Sequence, residues 1–300
     1  MTHKHGISNL LRNVLGHPLN RDRKMHAAWT VIAWQLSQRL FPSPSIVPFT
    51  SKTRLVVSKG MTGATGNIYC GLYEFADMAF LLHFLRPEDF FLDIGANVGV
   101  YTVLASAHVG ASSMCFEPVP DTLKQLRDNI STNGIEQLVE VAPYALGESN
   151  GSVAFSNEEL DTVNHIVYDQ SENANALMIE IRTLDGLELA QQPDLIKMDV
   201  EGFESAVIAG GGFTLKSDRL AAILVELNGS GERYGFSDTD THNKLLDIGF
   251  HPCSYDPFER SLTRLENRSG SVNTLYVRDF NRVSERLSSA SPVHLPFCTV

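Results

Sequence analysis

Cysteine is scarce in this chain of 300 residues. The four cysteines, Cys70, Cys115, Cys253 and Cys298, form no CxxC pair, so neither a zinc site nor a dithiol redox motif is indicated. Isolated cysteines are typical of the reducing cytosol, and we expect a cytoplasmic protein. Long apolar runs are missing as well, including the apolar core of a signal peptide. We therefore expect neither a membrane-spanning helix nor a secretory leader.

Basic charge is also in short supply. Lys and Arg number 24 against 35 Asp and Glu, which gives a net charge of −11. A nucleic-acid-binding protein needs basic surface for the phosphates, so we expect no nucleic-acid partner. The shortage is uneven, because residues 1–54 carry 8 basic and 1 acidic side chains, whereas residues 55–300 carry 16 and 34. The chain is long enough for one large domain with an extension.

A glycine-containing loop within residues 90–102 carries the strongest functional signal. A short apolar strand includes Asp93 near its end. Gly95 and Gly99 come after this strand, and a helical pattern begins directly after Gly99. Such a turn brings bare backbone and a helix N-terminus to a ligand. The dinucleotide fingerprint G-x-G-x-x-G is missing, since Asn97 stands where it requires a glycine. A carboxylate beside the turn suits an amino group or a sulfonium better than a pyrophosphate, which indicates S-adenosylmethionine.

Glu117 supports the same interpretation. It ends the second predicted strand, 18 residues beyond Gly99. An acidic residue at this offset and place can accept hydrogen bonds from both hydroxyls of a ribose. The alternative is an ordinary surface glutamate at a strand end. For the whole chain, a nicotinamide-dependent oxidoreductase and a non-catalytic cofactor-binding protein remain alternatives.

Seven short motifs follow one another between residues 70 and 280. They are Asp93-Ile-Gly-Ala-Asn-Val-Gly99, Phe116-Glu-Pro-Val-Pro120, Asn129 with Asn133-Gly134, Ala145-Leu-Gly147, Thr183-Leu-Asp185, Lys197-Met-Asp-Val-Glu-Gly202 and Val225-Glu-Leu227. In this order they resemble the FkbM-type methyltransferases, class I enzymes that use S-adenosylmethionine and are mostly O-methyltransferases. The resemblance implies an acceptor hydroxyl on a sugar, a glycan or a polyketide-type natural product. With the loop residues above, it implies cofactor contacts from Glu74, Asp93, Gly95, Ala96, Asn97, Gly99, Glu117, Ala145 and Asp199.

The order of predicted strands and helices indicates an α/β fold. From residue 90 onward, apolar strands alternate with amphipathic helices. This favours a parallel sheet with helices on both faces, the Rossmann-like sheet of class I methyltransferases. Two last strands, near 250–255 and 273–278, predict a terminal antiparallel hairpin. We expect the cofactor-binding domain to span residues 55–283 and a loose, Ser-rich tail to follow over residues 284–300.

Residues 1–54 predict a basic N-terminal extension. Residues 1–23 are polar and interrupted by glycine and proline, so we expect them to be irregular, and residues 60–66 predict a turn. An amphipathic helix is predicted over residues 24–41, with an apolar stripe that consists of Met25, Trp29, Ile32, Leu36 and Leu40. We expect this stripe to pack on the catalytic domain or on a second subunit. A helix lying on a membrane surface is the alternative, which the mixed polar face disfavours.

Lys197, Asp199 and Glu201 alternate at the end of a predicted strand, so an extended chain places them on one face. A buried lysine must be paired, and a structural ion pair with Asp199 or Glu201 is one interpretation. In the functional interpretation Lys197 and Asp199 are catalytic, and Asp199 lies near the amino group and the methyl donor of the cofactor. A magnesium site that combines Asp199 with Glu226 or Asn228 is an alternative. Because no dense acidic loop is present, we predict no metal.

His165 is the candidate general base. It lies in a polar stretch, residues 157–176, between two segments that predict a β-insertion, 152–156 and 177–182. An alcohol is a poor nucleophile until its proton leaves, and the ordinary pKa of histidine suits this work. The alternative is a loop histidine that contacts nothing.

Overall fold

The structure is a computed structural model that describes residues 3–58, 60–155, 166–167 and 177–300. Its helices are α1 (His3–Gly16), α2 (Lys24–Leu40), α3 (Thr62–Cys70), α4 (Phe75–Phe84), α5 (Val100–Thr102, continued by a π-helix over Val103–Val109), α6 (Pro120–Asn133), α7 (Glu204–Ala209), α8 (Asp238–Asp247) and α9 (Phe280–Ser288). Its strands are β1 (Ser45–Pro48), β2 (Arg54–Val57), β3 (Phe90–Ile94), β4 (Ser112–Phe116), β5 (Val139–Ala142), β6 (Ala145–Leu146), β7 (Gly151–Phe155), β8 (Ile166–Val167), β9 (Leu177–Arg182), β10 (Leu195–Met198), β11 (Ala222–Glu226), β12 (His251–Asp256), β13 (Ser261–Arg264) and β14 (Asn273–Val277).

An eight-stranded sheet forms the centre of the molecule, in the order β13-β12-β14-β11-β10-β3-β4-β5. The pairs from β11 to β5 are all parallel, as the alternation of strands and helices predicted. Strand β14 inserts antiparallel between β11 and β12, and β13 then extends the hairpin at the edge. The predicted class I methyltransferase fold, with its terminal antiparallel strands, is confirmed.

Two apolar cores cover the two faces of this sheet. Phe91 packs in one core with side chains of α4, α5 and α9, whereas its neighbour Leu92 packs in the other with side chains of α7 and α8. Successive strand residues point to opposite faces, so a strand buried on both sides must be apolar at every such position. Strands β3 and β10 are accordingly buried throughout, although they carry Asp93 and Lys197. Two charged side chains on buried strands are unusual, and they mark the position of the candidate active site described below.

A smaller sheet of four strands, in the order β6-β9-β7-β8, follows β5 in the chain. Strand β7 pairs antiparallel with β9 over all of its residues, which confirms the β-insertion predicted from residues 152–156 and 177–182. Most of the polar stretch between these strands, including His165, lies outside the residues that the structure describes.

The N-terminal region is more helical than the sequence indicated. Residues 1–23 were expected to be irregular and 60–66 a turn, but α1 and α3 occupy most of these segments. Leu10, Leu11 and Val14 of α1 join an apolar cluster with α2 and α3, so tertiary packing outweighs weak local propensity. In α3, a Cβ on Gly66 would lie 2.5 Å from the ring of Tyr73, so this glycine serves close packing rather than a turn.

The C-terminal residues are not the loose tail that their serine content suggested. Helix α9 includes Phe280–Ser288, and Val283 and Leu287 are buried against the sheet. After it, the backbone N–H groups of Val293 and Val300 donate to each other's carbonyls at 2.7 and 2.9 Å. Arg286 also forms an ion pair with buried Asp89. The expectation of a loose tail over residues 284–300 was wrong. Serine content does not reveal that the apolar residues between the serines, such as Leu287, Val293 and Leu295, are buried.

Helix α2 packs with the face opposite to the one expected. Ala27, Val31 and Gln38 are buried. The predicted stripe is instead exposed, with fractional exposures between 45% and 89%, at Met25, Trp29, Ile32, Leu36 and Leu40. The expectation that this stripe packs on the catalytic domain is therefore wrong for the chain as described. None of the helices in the described ranges is both long and apolar enough to cross a membrane.

Candidate active site

The loop between β3 and α5 bends sharply at the carboxyl end of the sheet. Gly95, Asn97 and Gly99 all have positive φ angles, of 80°, 51° and 84°. The N–H groups of Gly95 and Ala96 donate to the carbonyl of Phe116 at 3.2 and 2.9 Å, which ties the loop to the end of β4. The loop therefore has the left-handed turns that its glycines predicted.

Gly95 is also required by a contact within the protein. A Cβ at this position would lie 1.8 Å from the carbonyl oxygen of Asp199, at the end of the neighbouring strand β10. The sequence suggested that the glycine leaves space for the cofactor. The structure shows that Gly95 also leaves space for the backbone carbonyl of Asp199.

Glu117 follows β4 and has only 7% of its surface exposed. One carboxylate oxygen accepts a hydrogen bond from the backbone N–H of Asn97 at 3.1 Å, and the other accepts one from the N–H of Val119 at 2.8 Å. The side chain therefore fixes the glycine loop as well as facing the cavity beside it. Sequence reasoning found its place but not this structural role.

A cavity opens where these elements meet, with a volume of about 760 Å³ up to its open mouth. Five of the predicted residues line it, namely Gly95, Asn97, Glu117, Ala145 and Asp199. Glu201, which the sequence placed on one face with Asp199, lines the cavity as well. Sequence reasoning missed the apolar part of the wall, which includes Val119, Tyr144, Phe155, Val200 and Phe203. Most of these residues lie in a predicted motif or directly after the end of a strand, and this position in the sequence could have revealed them.

Other predicted residues lie behind the cavity wall. Ala96 and Gly99 belong to the loop but do not line the cavity. Asp93 is buried, and its Oδ2 accepts a hydrogen bond from the hydroxyl of Thr102 at 2.7 Å. Its Oδ1 is buried without a hydrogen-bond partner among the described residues. Burial raises the pKa of Asp93, and the nearby Lys197 opposes that shift.

Lys197 is the cation of this part of the site. Its Nζ lies 2.8 Å from Oδ2 of Asp199 and 4.8 Å from the centre of the Tyr101 ring. Tyr101 in turn donates its hydroxyl hydrogen to Glu74 at 2.8 Å. Burial alone would lower the pKa of Lys197, but the carboxylates of Asp199, Asp93 and Glu74 raise it. A lysine held in its charged form cannot act as a base, so Lys197 neutralises and orients Asp199.

Three carboxyl groups converge at the ends of β10 and β11. Asp199, Glu201 and Glu226 each place one oxygen within 4.8 Å of the other two. Burial and the neighbouring Asp199 raise the pKa of Glu226 to about 10. Burial would also raise the pKa of Asp199, but Lys197 brings it below its ordinary value. Lys197 therefore favours the ionised form of Asp199, whereas burial beside Asp199 favours the protonated form of Glu226.

Glu201 occupies an unusual backbone position in this group. It has a φ of 53°, and outside glycine such a left-handed conformation is uncommon and costs free energy. The segment around it is fixed by Glu204, whose Oε1 accepts the N–H groups of Val200 and Gly202 at 2.9 and 3.2 Å. Glu201 thus lines the cavity on a tightly held loop next to Asp199.

Comparison with known proteins identifies the family. The model of the Methyltransferase FkbM domain matches residues 93–252, which is more than half of the chain. The chain belongs to the FkbM methyltransferase family. This confirms the resemblance carried by the seven motifs, and S-adenosylmethionine is the cofactor.

Two curated proteins are similar to this FkbM-family chain. The hexuronic acid methyltransferase AglP of Haloferax volcanii is 28% identical over 153 residues, which cover 49% of this chain and 59% of AglP. The 2-O-methyltransferase NoeI of Sinorhizobium fredii is 33% identical over 156 residues, which cover 45% of this chain and 62% of NoeI. The chain thus matches about three fifths of the length of these relatives. Among solved structures, an S-adenosylmethionine-dependent O-methyltransferase of Thermotoga maritima has 12% identity and a TM-score of 0.36, and the match covers 68% of this chain and 64% of that one.

The residues at the site suit the cofactor of the FkbM family. S-adenosylmethionine combines an adenosine with a cationic sulfonium and an amino group. The cavity provides an apolar wall beside Tyr144 and Phe203, a carboxylate at Glu117, and an ionised carboxylate at Asp199. The unpartnered buried oxygen of Asp93 adds a further acceptor close to the loop.

Two earlier expectations about the chemistry stay predictions. His165 as the base lies outside the described residues. The expected absence of a metal is also open, because the three carboxyl groups of Asp199, Glu201 and Glu226 are close enough to hold one. Asn228 is not part of this group, and its side-chain oxygen accepts the N–H of Ser230 at 2.9 Å.

Proposed function

We propose that this protein is an S-adenosylmethionine-dependent O-methyltransferase that methylates a hydroxyl group of a sugar or glycan. The observation that carries the proposal is the cavity in an FkbM-family chain, bounded by the glycine loop, Glu117 and Asp199. Both relatives support the acceptor class, because one is a hexuronic acid methyltransferase and the other is a 2-O-methyltransferase.

Each part of the cavity has a role in this proposal. Glu117 accepts hydrogen bonds from the ribose hydroxyls, and the apolar wall at Val119 and Tyr144 contacts the adenine. Asp199, held in its charged form by Lys197, faces the cationic end of the cofactor. The cofactor supplies an electrophilic methyl group, and the protein holds the acceptor hydroxyl in line with it at near-attack distance.

We infer that Glu201 is a second candidate for the base, beside His165. It lines the cavity, and burial together with the charge of the neighbouring Asp199 raises the pKa of Glu201 to about 7, so a proton offered by the acceptor is readily accepted. The left-handed backbone at Glu201 supports a functional position, because strain of this kind persists mainly where the surrounding structure requires it.

The test begins with calorimetry, in which S-adenosylhomocysteine is titrated into the protein. We expect saturable binding and a rise in the unfolding temperature, as for any ligand of the native state. Transfer of a labelled methyl group is then measured with hexuronic acids, neutral hexoses and short glycans as acceptors. Absence of binding would contradict the cofactor assignment, and protection by NAD instead would favour the oxidoreductase. Binding without transfer to any acceptor would favour the non-catalytic alternative.

The base is tested by Glu201→Gln and His165→Ala, with exposed Glu232→Gln as the matched control. Loss of the base is expected to lower turnover by a factor of about 10²–10⁴ while the affinity for S-adenosylhomocysteine stays near the wild-type value. The variant with this profile identifies the base. If both variants keep full turnover, neither residue accepts the proton.

A further inference from the structure

Helix α2 has an apolar surface that the described part of the fold leaves uncovered. We call this surface the α2 stripe, and it consists of Met25, Trp29, Ile32, Leu36 and Leu40. These residues recur every three or four positions, so they lie along one side of the helix. All five side chains are exposed. Single exposed apolar residues are ordinary, but a continuous stripe of large ones marks an interaction surface.

The stripe is distinct from the surface that α2 uses to join the protein. Ala27, Val31 and Gln38 are buried on the other side of the helix, where Val31 packs with Val14 of α1 and Tyr69 of α3. The helix is thus apolar on two opposite sides, and the fold uses one of them. A helix held along one side by the protein can meet an apolar partner only with its outer side.

The charge around the stripe distinguishes between partners. Residues 1–54 have a net charge of +7, whereas residues 55–300 have a net charge of −18. Arg21, Lys24 and Arg39 are exposed and lie next to the stripe along the chain. If a second copy covered the stripe with its own, the exposed basic side chains that flank the stripe in both copies would come close and repel each other. An anionic lipid surface offers both an apolar interior for the stripe and negative headgroups for its basic flanks.

We propose that the α2 stripe binds the surface of an anionic membrane, with α2 lying in the plane of the interface. Trp29 is one of the five stripe residues, and tryptophan favours the boundary between lipid headgroups and hydrocarbon. Phe41 and Ile46, both exposed, follow the stripe along the chain. The inference does not depend on the methyl acceptor, because it uses residues outside the cavity.

Flotation with vesicles of defined composition tests the proposal on the full chain. We expect the protein to float with vesicles of equimolar phosphatidylcholine and phosphatidylglycerol, and to bind pure phosphatidylcholine at least about tenfold less. The double variant Trp29→Ser/Leu36→Ser is expected to bind the mixed vesicles about tenfold less for each side chain removed. Phe213→Ser, at an exposed position of the catalytic domain, is the matched control and is expected to bind like the wild type.

A spectroscopic measurement locates the contact. The chain has two tryptophans, Trp29 and Trp34. In a Trp34→Phe variant, emission therefore reports on Trp29 alone, and it is expected to shift to shorter wavelength with the mixed vesicles but not with phosphatidylcholine. Because the stripe is exposed, its serine variant is expected to keep the wild-type unfolding temperature, which excludes misfolding as the cause of lost binding.

Three results would overturn the proposal. The first is no binding to the mixed vesicles, and the second is equal binding by the wild type and the Trp29→Ser/Leu36→Ser variant. The third is a dimer in sedimentation equilibrium that the same variant converts to a monomer, because a second copy would then cover the stripe. Reduced vesicle binding by Lys24→Gln/Arg39→Gln would support the role of the basic flanks.

Discussion

Replacing Glu117 tests the cofactor assignment and the structure of the loop together. Glu117 is almost fully buried and accepts the backbone N–H groups of Asn97 and Val119, which both belong to the cavity wall. In Glu117→Ala both donors lose their acceptor, and each unpaired buried donor costs about 1–3 kcal/mol. Because water can enter the open cavity and replace part of the loss, we expect the free energy of unfolding to fall by about 2–3 kcal/mol in total.

The affinity for the cofactor is expected to fall as well. Hydrogen bonds to a charged group contribute about 1.5–3 kcal/mol, so losing the ribose acceptor is expected to raise Kd by a factor of about 10–150. Denaturant unfolding measures the first effect, and calorimetric titration with S-adenosylhomocysteine measures the second. Glu117→Gln keeps the shape and one acceptor oxygen, so we expect smaller losses in both measurements. Exposed Glu140→Gln on β5 is the control.

The two measurements separate the possible roles of this side chain. A variant that loses stability but binds S-adenosylhomocysteine with unchanged Kd would show that Glu117 only holds the loop. Loss of affinity in Glu117→Gln at nearly wild-type stability would support a direct contact with the ribose. If neither quantity changes in Glu117→Ala, both the hydrogen bonds and the cofactor assignment are refuted.

Three further predictions concern the same edge of the sheet. Gly95→Ala places a Cβ against the carbonyl of Asp199, so we expect loss of cofactor binding in calorimetry and a lower unfolding temperature, whereas Gly270→Ala, with open space around it, is expected to change neither. Lys197→Met leaves the neighbouring carboxylates without their cation, and removing one partner of a buried pair costs about 3–5 kcal/mol, to be measured by denaturant unfolding. Burial raises the pKa of Glu204 to about 7 from a model-peptide value of 4.5, so this group stabilises the fold fully below about pH 4.5, and about 3 kcal/mol of stability is lost as the pH rises through 7. Glu204→Gln is expected to flatten this part of the profile of unfolding free energy against pH, and an unchanged profile would contradict the assignment.

The parts of the site that could be predicted from the sequence are those fixed by local geometry. Gly95 and Gly99 stand at positions with positive φ, and Glu117 ends the strand beside them, so spacing along the chain was sufficient to place them together. The pairing of Lys197 with Asp199 was predicted for the same reason, since alternate residues of a strand share a face.

The apolar wall of the cavity could not be predicted in this way. Tyr144, Phe155 and Phe203 come from three different segments of the chain, one of them strand β7 of the small sheet, and they meet only at the cavity. Aromatic residues after strands are common in any α/β protein, so none of the three is distinctive in the sequence alone. Their role depends on tertiary contacts that have no local spacing rule.

Helix α2 shows a different limit of sequence reasoning. Its periodic apolar residues were correctly placed on one side of a helix, but periodicity does not say which side the protein covers. Ala27 is fully buried against the rest of the protein, whereas the larger Trp29 and Leu36 face outward. Close packing of helices favours small side chains. When a helix has apolar residues on two sides, the side that the protein buries can therefore be the less hydrophobic of the two.

The separation of charge along the chain gives the two surfaces different responses to salt. The basic side chains that flank the α2 stripe are exposed, and at physiological ionic strength exposed charges are screened beyond about 8 Å. Around the cavity, Asp93 and Lys197 are buried, and buried charges are screened much less. Raised salt should therefore release the protein from anionic vesicles at concentrations that leave the Kd for S-adenosylhomocysteine nearly unchanged. A parallel loss of both would contradict the assignment of membrane and cofactor to separate surfaces.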